Sequence, residues 1–190
     1  MNNNLKKYYD QVISGDYKNY LDVINKFEKD NNKDSKVVFY RWILENNKKN
    51  MSIKEYYNLS TKMINNLDKE KVDNYDKYML IMDILMITAI VCSDNKCIDF
   101  ANNLFSMAIS FGEENDKYSK QNYYDVLNCA YSWIGTIYFS NKEYEKALIV
   151  FNKVIDNYYK VKNEPNYKIK EKESVPISQK YIKEITKLLG

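Results

Sequence analysis

The chain has 190 residues, 45% of them hydrophobic, and only two prolines and four glycines. That size and apolar content suit one domain with a substantial core, and so few turn residues argue against an all-β fold. The net charge of +3 comes from 29 basic residues, of which only Arg41 is arginine, spread among 26 acidic ones. Bidentate reading of guanine or phosphate uses arginine, so nucleic acid is not an expected partner.

Other classes are excluded in the same way. There is no histidine and there are three cysteines, Cys92, Cys97 and Cys129. The cysteines lack framework spacing, so they read as reduced, small buried hydrophobes, and no metal or other cofactor is expected. The start, MNNNLKKYYDQ, has no apolar stretch of the secretory kind, and the most apolar run, Tyr78 to Cys92, is interrupted by Asp83. It is also shorter than the roughly 20 residues that cross a bilayer, so a buried helix and a cytoplasmic location are expected.

Helical periodicity then recurs along the chain. Leu5, Tyr8, Tyr9, Val12 and Ile13 form one stripe, and Tyr17, Tyr20, Leu21, Ile24 and Phe27 another, either side of Ser14-Gly15-Asp16. Val37 to Leu44 is a third helix. Ser52, with Glu55 three residues later, predicts a capping box opening a helix through Leu67. The apolar helix through Cys92 is followed by the polar turn Ser93 to Lys96. Ile98 to Phe111 is predicted to end at Gly112 as a C-cap, and Ser119 to open one long helix reaching Phe139. After Ser140-Asn141-Lys142, Glu143 to about Tyr159 is helical. Residues 162–176, charged and containing Pro165, read as a linker, and 177–190 as an amphipathic terminal helix with Ile177, Tyr181, Ile182, Ile185, Leu188 and Leu189 on one face. The expectation is an all-α chain of about nine helices, joined by short turns into antiparallel αα-hairpins.

Gly135 stands inside a helix, where it costs about 1 kcal/mol relative to alanine. Twelve residues later, on the next helix, is Ala147, and Phe151 lies one turn beyond it. Two helices that cross closely need small residues at the contact. The series Tyr131, Ile134-Gly135, Tyr138, Tyr144, Ala147, Phe151, Val154 resembles a tetratricopeptide repeat (TPR), whose unit is about 34 residues. Lys142 stands where that family often has glycine, and Tyr159 replaces its closing proline. A second copy has Leu85, Ala89, Ile98, Ala101, Phe105 and Ala108, with Cys92 in place of the tyrosine. The copies are 46 residues apart, so about three extra helical turns are expected around Phe111 to Val126.

The resemblance implies a short right-handed α-solenoid over residues 1–161, clearest at 82–115 and 128–161, with 177–190 as its capping helix. In that family the first helix of each repeat lines a concave groove that binds peptides or extended protein segments. Carried onto this sequence, the groove positions are Asp83, Met86, Ile90, Cys129, Ser132, Thr136 and Phe139, and the structural positions Ala89, Ala101, Phe105, Gly135, Tyr138, Ala147 and Phe151. Met86, Ile90, Ser132 and Thr136 are not the Lys and Asn clamp of the family's chaperone-binding members, so an acidic chain end is a disfavoured ligand. Met86 and Ile90 equally suit packing under a neighbouring helix.

No catalytic constellation is visible: there is no histidine to act as base and no Gly-rich phosphate loop. The expected function is a cytoplasmic, non-enzymatic adaptor that binds a protein or peptide. Two alternatives share the architecture: a domain resembling helical-repeat receptors of signalling peptides, and a small immunity or inhibitor protein that blocks a toxin or enzyme. The first 67 residues lack the helix-turn-helix common in such receptors. Four Tyr-Tyr pairs, 8–9, 56–57, 123–124 and 158–159, are placed to put one ring in the core and the other near the rim.

Overall fold

The computed structural model describes residues 52–68, 72, 75–165, 167 and 174–190. The expected helices and the Gly15 turn ahead of residue 52 lie outside the described residues. The described residues form seven helices: α1 Ile53–Asp68, α2 Tyr75–Asp94, α3 Ile98–Glu114, α4 Asp116–Gln121, α5 Asp125–Ser140, α6 Tyr144–Val161 and α7 Ser174–Leu189. No strand occurs among the described residues.

The chain divides into two compact units, residues 1–80 and 81–190. In the first, the capping box forms as its sequence predicts. The Ser52 backbone N–H and hydroxyl both donate to Glu55 Oε2, at 2.9 and 2.7 Å, and the Glu55 N–H points back to Ser52 Oγ at 3.4 Å. These bonds hold the Glu55 carboxyl below its ordinary pKa. Tyr56 and Ile64 are the buried side of α1.

In the second unit, α3 packs on α5, α5 on α6, and α6 on α7. Within the α5–α6 hairpin, Gly135 meets Phe151 and Asn128 meets Asn157. One contact advances along α5 as it retreats along α6, so the helices are antiparallel. α6 and α7 are antiparallel by the same test, since Ala147 lies in one buried cluster with Ile185 and Phe151 stacks on Tyr181.

Two turns share one design. After α2, Lys96 N–H donates to Ser93 O at 2.9 Å and Cys97 N–H to Cys92 O at 2.8 Å. After α5, Lys142 N–H donates to Phe139 O at 2.9 Å and Glu143 N–H to Tyr138 O at 2.9 Å. This is the Schellman pattern. Lys96 and Lys142 take its left-handed position, at φ 61° and 63°. Each next helix opens alike, with Ala101 N–H on Cys97 O and Ala147 N–H on Glu143 O. Every donor and acceptor in the second turn lies 46 residues after its equivalent in the first.

The buried phenylalanines that follow also correspond. Phe105 of α3 stacks on Trp133 of α5, centroids 5.7 Å apart. Phe151 of α6 stacks on Tyr181 of α7, centroids 5.0 Å apart and rings 2° from parallel. Thus α7 serves α6 as α5 serves α3.

Three expectations are corrected. Gly112 is not a C-cap: α3 continues to Glu114 and Gly112 is buried within it. A Cβ there would lie 2.9 Å from Leu127 Cδ1, so its small size admits α5. The long helix from Ser119 to Phe139 does not form. Tyr123 and Tyr124, at φ 53° and 57°, break it into α4 and α5. Tyr124 N–H donates to Ser119 O at 2.7 Å in a third Schellman turn, and the Ser119 hydroxyl donates to Gly112 O at 2.6 Å instead of capping. The residues between the two copies therefore build a short separate helix and a turn, not extra turns on existing helices.

At the C-terminal side α7 starts at Ser174, with Pro176 in its first turn, where a missing N–H costs no helix bond. Within the stretch 162–176, Tyr167 is 4% exposed. It lies between Tyr123 and Tyr158, with centroids at 6.0 and 5.5 Å.

Candidate functional site

The seven groove positions lie on α2 and α5. On α2, one helical turn apart or close to it, Asp83 and Ile90 are half-buried and Met86 is 5% exposed. Met86 is therefore a buried side chain, not an exposed groove residue.

On α5, Cys129, Thr136 and Phe139 are half-buried and Ser132 is buried. Ser132 Oγ is 3.4 Å from Ser178 Oγ of α7. Thr136 turns its hydroxyl inward along its own helix, donating to Ser132 O at 2.9 Å. Phe139 packs between Tyr144 and Tyr181, with centroids 5.6 and 4.8 Å away. Ser132 and Phe139 thus lie under α7. This contact runs parallel, 132 with 178 and 139 with 181, and so differs from the antiparallel hairpin contacts.

Ala89, Ala101, Phe105, Ala147 and Phe151 are fully buried. A Cβ at Gly135 would lie 2.7 Å from Phe151 Cε1 and 2.8 Å from Cζ. The three atoms that would come nearest such a Cβ all belong to the Phe151 ring. Tyr138 is half-buried and packs against the Ala147–Phe151–Ile185 cluster.

A polar seam lies toward the other end of the α5–α6 hairpin. Asn157 Nδ2 donates to Asn128 Oδ1 at 3.0 Å, both residues buried. Lys160 Nζ donates to Asn157 Oδ1 at 3.2 Å and stands 5.1 Å from the Tyr124 ring centre. Tyr124 in turn donates to Asp116 Oδ1 at 3.1 Å. Burial, and then that carboxylate, push the Tyr124 hydroxyl up to about 12. Tyr131 donates to Glu113. Burial first and Glu113 second raise its pKa further still. A phenol held neutral in this way is a fixed hydrogen-bond donor, not a base. Nothing in the sequence pattern flagged the seam, because its members come from α3 to α6 and meet only in the fold.

No family model matches the chain, and neither the curated proteins nor the solved structures yield a match. What the site can do must therefore be read from its own chemistry. Among the described residues no group of three His, Cys, Asp or Glu is placed to hold a metal ion. No helix among them is long and apolar enough to cross a membrane.

Proposed function

We propose that this chain is a TPR-like, non-enzymatic module that binds a protein or peptide in the cytoplasm. The observation that carries the proposal is the recurrence, 46 residues apart, of one hairpin turn with the same hydrogen bonds. Each copy is followed by a buried phenylalanine stacked on an aromatic ring of a later helix. Helical hairpins that repeat in this way stack into curved solenoids with a concave face suited to extended ligands. The candidate face is Asp83, Ile90, Cys129 and Thr136, all half-buried, while Met86 and Ser132 are buried and Phe139 packs on Tyr144 and Tyr181.

The test is binding to the immobilised full chain, with short peptide libraries and candidate protein partners as separate arms. Ile90→Lys and Thr136→Lys should each abolish specific binding while leaving the melting transition in place. Tyr159→Ser, at a position 59% exposed on α6, should leave binding intact. Retention of every specific ligand by both lysine variants would sink the proposed face.

A further inference from the structure

Cys92 and Cys97 occupy matched positions of the turn that closes α2. They are the two residues of a Schellman motif whose side chains characteristically meet, C3 and C″. The Cys97 N–H donates to the Cys92 carbonyl at 2.8 Å. With standard bond lengths and a trigonal carbonyl carbon, which puts the oxygen about 2.4 Å from its own Cα, that bond limits the two Cα atoms to about 6.7 Å apart, inside the ~4.4–6.8 Å span that disulfides bridge. The Cys97 side chain also folds back over the turn, its Sγ 3.6 Å from Asn95 O. Both thiols are free, Cys92 buried and Cys97 partly exposed. The equivalent turn after α5 has Tyr138 and Glu143 at these places and has no such chemistry.

We propose that Cys92 and Cys97 are a redox-responsive pair that closes to a disulfide across this turn when a low-molecular-weight disulfide such as oxidised glutathione is present. The partly exposed Cys97 thiolate attacks one sulfur of glutathione disulfide. A Cys97–glutathione bond forms, the glutathione S–S bond breaks, and one glutathione leaves as thiolate and takes a proton. Cys92 loses its proton to solvent and attacks Cys97 Sγ, expelling the second glutathione. The protein gives up two electrons and two protons, and one disulfide is reduced to two thiols.

Burial pushes the Cys92 thiol up to about 11, with a smaller contribution from the neighbouring Cys97. Cys92 is therefore a poor first nucleophile, and its part is the second, intramolecular step, where proximity replaces thiolate concentration. Pairs of this kind in reducing compartments are transient and regulatory, not structural. Closure would fasten the end of α2 to the start of α3. The inference rests on the turn geometry alone and stands or falls independently of the proposed ligand face.

The full chain is incubated with oxidised glutathione, remaining thiols are alkylated, and the product is cut with trypsin. Trypsin cleaves after Lys96, between the two cysteines. The expected result is an intact mass lower by two hydrogens before alkylation, and two tryptic peptides that stay joined until reduced. Cys129→Ser should give the same joined pair, and Cys97→Ser should give none. Recovery of Cys92 alkylated, of glutathione persisting on Cys97, or of a bridge to Cys129 would each overturn the proposal.

Discussion

Gly135 sets two effects against each other. Alanine there improves helix propensity by about 1 kcal/mol. Its Cβ would also lie 2.7 Å from the Phe151 ring. That ring is fully buried and backed by Tyr181, so it has little room to recede. Overpacking of this kind costs roughly 1–3 kcal/mol, more than the propensity gain. Gly135→Ala should therefore lower the melting temperature, and adding Phe151→Leu should recover part of the loss. A variant as stable as the parent would show that the two helices are not in close contact. Lys96 and Lys142 invite the opposite change. A left-handed conformation costs a non-glycine residue about 1–2 kcal/mol, partly offset because glycine loses more freedom on folding. Both lysines are exposed. Lys96→Gly and Lys142→Gly should each stabilise the chain by about 0.5–1 kcal/mol, read from denaturant midpoints. The crossing at Gly135 was legible from its spacing to Ala147 and Phe151. Gly112 was not, because a glycine near the end of an apolar run looks the same whether it caps a helix or admits Leu127 from another.

At the scale of elements, local signals worked where the chemistry is local. The Ser52–Glu55 box, the polar turns after α2 and α5, and the start of α6 each depend on a few consecutive residues. The break at Tyr123-Tyr124 depends on distant ones. No glycine or proline marks it, and two tyrosines hold left-handed backbone there. What fixes the turn is the Ser119 hydroxyl on Gly112, the Asn122 side chain accepting from Val126 N–H at 3.2 Å, and Tyr124 donating to Asp116. The candidate site was only partly legible for the same reason: the cover over Ser132 and Phe139 comes from α7, which the spacing within α5 and α6 does not reveal. That cover is anchored by Ile185, which is fully buried against Ala147 and Phe151. Truncating a buried isoleucine costs about 2–5 kcal/mol. Ile185→Ala should accelerate amide exchange in α7 far more than in α3. Uniform acceleration across both would show that α7 unfolds only with the rest of its unit.

For the whole molecule, pH is the most direct test of the packing, because its raised pKa values fall on one side of neutrality. The solvent-accessible carboxyls Glu55 and Glu143 are lowered, the first by Ser52 and the second chiefly by Lys146. Their contribution is present at neutral pH and lost on acidification, and it is small because both are open to solvent. Tyr124 is pushed up to about 12 and Cys92 to about 11, with Tyr131 raised further, each chiefly by burial. In the unfolded chain these groups lose their protons near their ordinary values of 10 for tyrosine and 9 for cysteine. The folded chain keeps the neutral forms. Between the two values the unfolded state releases protons that the folded state holds, so stability falls as pH rises. The melting temperature should hold from neutrality to about pH 9 and then decline steadily to about pH 12. Lysine deprotonation acts over part of the same range, so the informative quantity is a difference between variants. Tyr131→Phe loses the bond to Glu113 and should be less stable at pH 7 by about 1 kcal/mol. It also removes one titrating group, so its decline above pH 10 should be shallower than that of the parent chain. Parallel curves would mean that Tyr131 ionises as readily in the fold as out of it, which is incompatible with its buried place on α5 beside Glu113 of α3.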